Sequence, residues 1–259
     1  MGYNIVTESA YKMREIARQA LKGYWKPVVA ACLMYFILTA GVTYFLDYFF
    51  TYNYPVQAAE GQVVSASIGF GGSLYSFILG GPLQFGLTMF MVVFFRTRRC
   101  DNTLLFEGFS NFSRTFVLAF LMGVKIILWS MLFIIPGIIA SFKYSQAYYI
   151  LVDNPTWSPS KCIRESCRIM NGNKYKLFCL EFSFIGWGIL ASLPEAIYTV
   201  AARDSLTSIG GIIVMILLGL PGLYVTAYSM VAKTAFYELV TEKLVVVPEV
   251  AETTGADEL

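Results

Sequence analysis

Residues 116–152 read FVLAFLMGVKIILWSMLFIIPGIIASFKYSQAYYILV, an apolar stretch interrupted by Lys125, Lys143 and a Pro136-Gly137 pair. As one straight helix, rising about 1.5 Å per residue, it would overshoot the roughly 30 Å hydrocarbon core of a bilayer. Two readings follow. In one, the chain turns back at Pro136-Gly137, because proline disfavours helical geometry in the residue before it and glycine permits a tight reversal. That makes two spans, 116–135 and 138–152. In the other, a single span ends near Phe142 and the remainder lies at the interface.

Further apolar runs lie on either side, at 27–50, 73–95, 177–193 and 209–231. The chain of 259 residues is 57% hydrophobic and 14% charged, with a mean hydropathy of +0.61, whereas soluble domains carry about 25% charged residues. Strand-type alternation is absent, so the spanning element is the helix, which satisfies its own backbone in lipid. With no histidine in the sequence, serine-histidine and cysteine-histidine nucleophiles and imidazole metal sites are excluded. A net charge of +2 gives no overall field for nucleic acid.

The placement of Lys and Arg, which concentrate in short cytoplasmic loops, chooses between the two readings. With six spans and both termini cytoplasmic, all but three of the 19 basic residues face the cytoplasm. The exceptions are Arg203 outside and Lys125 and Lys143 within spans. Five spans would strand Lys161, Arg164, Arg168, Lys174 and Lys176 on the outer face. The expected fold is therefore all-α: a polytopic membrane protein with six transmembrane helices in three hairpins. It forms a single domain over 1–246 with an acidic, disordered tail at 247–259. The five cysteines fall in cytoplasmic loops or the cytoplasmic half, where thiols stay reduced.

A cytoplasmic amphipathic helix is expected before each hairpin, at about 8–24, 103–114 and 158–171. The first carries Ala10, Met13, Ala17, Ala20, Leu21 and Tyr24 as an apolar stripe, with Thr7 as cap. The second carries Leu105, Phe109, Phe112 and Phe116, and the third Ile163, Cys167 and Met170 between Ser158-Pro159 and Gly172. Returning spans share Gly81-Pro82, Pro136-Gly137 and Pro221-Gly222. Either the chain is a threefold duplication of helix plus hairpin, or these features are the common furniture of membrane helices.

Ionisable residues within spans are costly and therefore candidates for function. Lys125, Lys143 and Glu181 are the three. In one reading the lysines attract an anion in a polar cavity and Glu181 balances or gates them. In the other, a Lys-Glu pair fixes helix packing, or the lysines snorkel to the interface. Neither a phosphate-cradling glycine loop nor a metal-binding cysteine spacing is present, so no catalytic residue, cofactor or metal is expected. The expected partners are the bilayer, anionic lipid headgroups at the cytoplasmic face and a partner membrane protein, not nucleic acid.

The run LWSMLFIIPGIIASFKYSQAYYILVDNP (128–155) resembles the centre of a bacterial integral-membrane family catalogued as domain of unknown function nine-seven-five. The resemblance continues in Arg18 to Gly23, Phe106-Glu107-Gly108-Phe109, Ser166 to Met170, LFCLEFSFIGW (177–187) and Phe236-Tyr237. It implies a multi-pass bacterial plasma-membrane protein, and it brings no substrate or catalytic residue. The expected role is non-enzymatic transport or export of a small or amphipathic solute, or service to an exporter. The alternative is a lipid-interacting or partner-binding adaptor.

Overall fold

The computed structural model describes residues 5–57, 63–201 and 209–244. Arg203 and the tail at 247–259 lie outside the described residues. The chain is helical, as expected, with one local addition. Helix α1 (Ala10–Leu21) starts at Ser9, whose hydroxyl accepts from the Lys12 N–H at 3.3 Å, rather than at Thr7. Helices α2 (Trp25–Phe36) and α3 (Val42–Phe49) run on through a π turn, Ile37–Gly41. That turn's Leu38 carbonyl accepts from the Tyr75 hydroxyl. The addition is an antiparallel ribbon, β1 (Thr51–Gln57) with β2 (Val63–Gly69), Thr51 opposite Gly69. Its Thr, Tyr, Val and Ile content suits strands.

Helix α4 (Gly71–Thr97) is the centre of the molecule, packed by α2, α3 and the helices that begin at Phe112, Ala147 and Ile209. Of its most apolar window 61% is buried by protein, against 22%, 11% and 17% for Trp25–Phe49, Phe112–Leu132 and Lys174–Ala201. These four helices are long and apolar enough to cross a membrane. The outer ones carry wide exposed apolar faces, with Met131 and Val200 79% and 69% exposed. Such faces fit a lipid surround and associate the chain with a membrane.

The segment expected as a helix at 103–114 is instead a 3-10 turn, Asn102–Phe106, followed by one turn of α5 (Glu107–Ser110) and a break at Asn111. Tertiary contact overrides the helical period there. A β-carbon on Gly86 would strike the Leu105 carbonyl, and one on Gly108 the Pro82 carbonyl, so this turn is pressed directly onto α4. Leu105 is buried while Phe109 and Phe112 stay exposed.

After α6 (Phe112–Leu132) the chain reverses at extended Phe133, ahead of the expected Pro136-Gly137. Pro136 sits in the first turn of α7 (Ile134–Tyr144), where a missing N–H costs nothing. Gly137 lets α7 lie against Ser130 of α6. The expected span 138–152 is not one helix: α7 gives way to α8 (Ala147–Asp153) at Ser145-Gln146. Helices α9 (Pro159–Ile169), α10 (Lys174–Ala201) and the 32-residue α11 (Ile209–Val240) complete the chain.

The apolar stripes expected at 8–24 and 158–171 are both covered by protein. Helix α1 buries Met13, Ala17, Ala20 and Leu21 against α10 and α11. Helix α9 buries Cys162, Ile163, Ser166 and Ile169 against α6, α7 and α8, leaving Cys167 of the expected stripe only half-buried. The two burial patterns superpose at a single sequence interval: Met13 with Cys162, Ala17 with Ser166, Ala20 with Ile169, Leu21 with Met170. The same interval pairs Gly23 with Gly172, at φ 86° and 88°, then Val28 with Leu177 and Ala31 with Leu180, all four side chains buried. First and third units thus share these buried positions and a left-handed glycine, although Val29 is buried where Phe178 is exposed and Tyr24 exposed where Asn173 is buried.

Candidate functional site

The break between α7 and α8 is stitched by a side chain from another helix. Ser166 donates from Oγ to the Lys143 carbonyl at 2.7 Å and accepts from the Gln146 N–H at 3.2 Å. Gln146 is 1% exposed; its Nε2 donates to Ser145 Oγ at 3.0 Å, while its Oε1 is buried with no hydrogen-bond partner. A buried acceptor without a donor costs roughly 1–3 kcal/mol, so its persistence needs a reason.

Ser145 and Gln146 open onto a cavity of about 130 Å³ between α4, α8, α10 and α11. Polar groups from Gln84, Thr88, Tyr149, Glu181 and Lys233 line it, closed by Leu87, Met91, Leu177 and Met230. Glu181 and Lys233 pair at 3.0 Å, both about a third exposed. The Tyr35 hydroxyl donates to Gln84 Oε1 at 2.9 Å, fixing that amide. The walls therefore offer a positive group, a negative group and an unused acceptor, with room for several waters at about 10–15 Å³ each.

One helix end below the cavity, the returning helices meet in an ionic cluster. Arg96 donates to Asp153 at 2.7 and 3.3 Å and to Glu238 at 2.6 and 2.8 Å. Tyr237 and Lys243 each reach Asp153 Oδ2 at 2.5 Å. The Asp153 and Glu238 side chains are 6% and 4% exposed. Burial pushes the Asp153 carboxyl up, but hydrogen bonds from Arg96, Lys243 and Tyr237 outweigh it and hold it below its ordinary range. The same burial, with Asp153 alongside, drives the Tyr237 phenol upward. Asp153 follows Pro136 at the interval by which Glu238 follows Pro221, so second and third units present equivalent carboxylates to an arginine from the first.

The residues singled out in the sequence divide between two places. Glu181 lines the cavity, but its partner is Lys233, not Lys125 or Lys143. Lys125 stands 5.8 Å from the Tyr144 ring, and it acts together with Lys143 and Lys174 on Cys167. Pro136 and Gly137 start the return helix α7, and Pro221 and Gly222 lie inside α11. Gln146, Lys233 and the Arg96 cluster were not among the candidates. Gln146 carried a signal, since a neutral amide deep in an apolar run needs partners there, whereas Arg96 and Asp153 look like ordinary loop charges. Among the described residues no group of three acidic or cysteine side chains is arranged to hold a metal.

No curated protein and no solved structure matches this chain. The family model described as Protein of unknown function (DUF975) matches residues 7–141 and 131–244, which together span nearly the whole sequence, and the chain belongs to that family.

Proposed function

We propose that the chain is a bacterial plasma-membrane protein that crosses the bilayer six times, both termini cytoplasmic, and carries a small polar solute without chemical conversion. Four helices of spanning length supply four passes, and the 32-residue α11 supplies another. Together α7 and α8 supply the remaining one as a discontinuous helix. The basic-residue distribution sets the orientation. Backbone that leaves the helix at membrane depth is tolerated where it lines a cavity, and transporters place solute sites at such breaks. The observation that carries the reading is the unpartnered Gln146 Oε1 beside the Glu181–Lys233 pair at this break. An adaptor working through its apolar stripes is disfavoured, because α1 and α9 bury theirs against protein.

The test is a thermal-shift screen of purified protein against small amines, carboxylates, amino acids and polyols. Solutes that bind are then followed as efflux from loaded proteoliposomes. At least one class is expected to stabilise the native protein but not Glu181→Gln combined with Lys233→Met, and to leave vesicles faster than from protein-free controls. A protein that binds none of them, or binds without accelerating efflux, rules out the transport reading.

A further inference from the structure

Away from the cavity α7 packs against α6, α9 and α10, and each of α6, α7 and α10 carries one half-buried lysine there. Lys125 of α6 stands over the ring of Tyr144, next to Lys143 of α7, and Phe142 on the other side of Lys143 meets Phe178, one turn from Lys174 of α10. Burial raises the Cys167 thiol, and all three lysines oppose that rise. The arrangement is held in place: Ser166, next to Cys167, is hydrogen-bonded to the Lys143 carbonyl at 2.7 Å, and Lys125 Nζ stands 5.8 Å from the ring of Tyr144. Among the described residues none of the three forms an ion pair. Lys125 and Lys143, the two within the expected spans, are retained against a cost when something opposes their charge.

We propose that Lys125, Lys143 and Lys174 form a binding site for a phosphate-bearing anion. An acidic phospholipid headgroup and free phosphate share that chemistry, and the surroundings favour the lipid. One helical turn from Lys143 stands Ile139, and one turn from Lys174 stands Phe178, 45% and 44% exposed. Phe178 meets Phe142 edge-on at 5.9 Å and stacks on Phe182, itself 62% exposed. An acyl chain has an apolar track leading directly from the lysines, which a free anion would not need. The site is independent of solute carriage, since none of its residues lines the cavity.

Native mass spectrometry of the full-length protein, titrated with phosphatidylglycerol, phosphatidylcholine or inorganic phosphate, tests this. Phosphatidylglycerol is expected to be retained over phosphatidylcholine. Lys125→Met, Lys143→Met and Lys174→Met are each expected to weaken it about fivefold, the scale of one basic residue facing an acidic lipid. Lys143→Arg is expected to keep binding, and Lys161→Met, whose ammonium lies 3.6 Å from the Trp157 ring, to leave it unchanged. Bound lipid is also expected to slow alkylation of Cys167, read by peptide mapping in the unsubstituted protein, so the result does not hinge on a variant folding. If inorganic phosphate alone binds with the same lysine dependence and displaces the lipid, the site stands with free phosphate as its occupant. Equal retention of both lipids without phosphate binding, or unchanged retention in the triple Met variant, overturns it.

Discussion

Arg96 is shared by two carboxylates that are almost wholly withdrawn from water, which makes it the side chain whose loss the fold tolerates least. Arg96→Met would leave the buried Glu238 without its counter-ion beside Asp153, which keeps Lys243 and Tyr237, at an expected cost of about 3 kcal/mol, read as unfolding in detergent. Glu238→Gln keeps the Arg96–Asp153 pair and is expected to cost less. The cluster also sets an acid limit. The folded Asp153 carboxyl ionises below its ordinary value of 3.8, so its contribution is complete above that value and is lost as pH falls through the folded one. Stability of the native protein should therefore decline once pH falls below about 3.8, with a shallower decline in Asp153→Asn. Chain position alone does not disclose such a residue. Arg96, Asp153 and Glu238 each end a different helix, and only packing shows that the three ends coincide.

At the scale of elements, the two repeated helix junctions depend on backbone that only glycine adopts without strain. Gly23 and Gly172 have φ of 86° and 88°, and a β-carbon would meet nothing within 4 Å at the first and only Ile5 at 3.5 Å at the second. The cost of Gly23→Ala or Gly172→Ala is then the left-handed backbone alone, about 1 kcal/mol each, measurable as equal losses of thermal stability. Gly86→Ala is a different case, because the obstacle is the Leu105 carbonyl. It should separate the 102–110 turn from α4 and cost more than either junction, with faster proteolysis at that turn as the readout. Helices α1 and α9 were legible in sequence because each carries an apolar stripe at helical spacing, bounded in α9 by Ser158-Pro159 and Gly172, whereas the cap of α1 is Ser9 and not Thr7. The 103–114 segment was not, because its apolar spacing imitates a helix while Gly108 and Leu105 are used for close contact with α4.

Across the whole molecule, orientation is the property most directly open to experiment. A membrane-impermeant maleimide added to intact cells should label Tyr52→Cys on the ribbon, a position 67% exposed, and should leave native Cys100 unlabelled until the membrane is opened. The reverse pattern would invert the proposed six-pass arrangement. Composition and hydropathy by themselves determined that this chain is helical and where most of its apolar helices lie, and the motifs at 128–155 and 177–187 pointed to its family. These follow from local chemistry, since water and lipid sort side chains segment by segment. Which polar groups meet was decided only by tertiary structure. Glu181 lies beside Lys233, Lys125 stands over Tyr144, and Arg96 bridges two equivalent carboxylates, because helix packing brings together residues far apart in sequence.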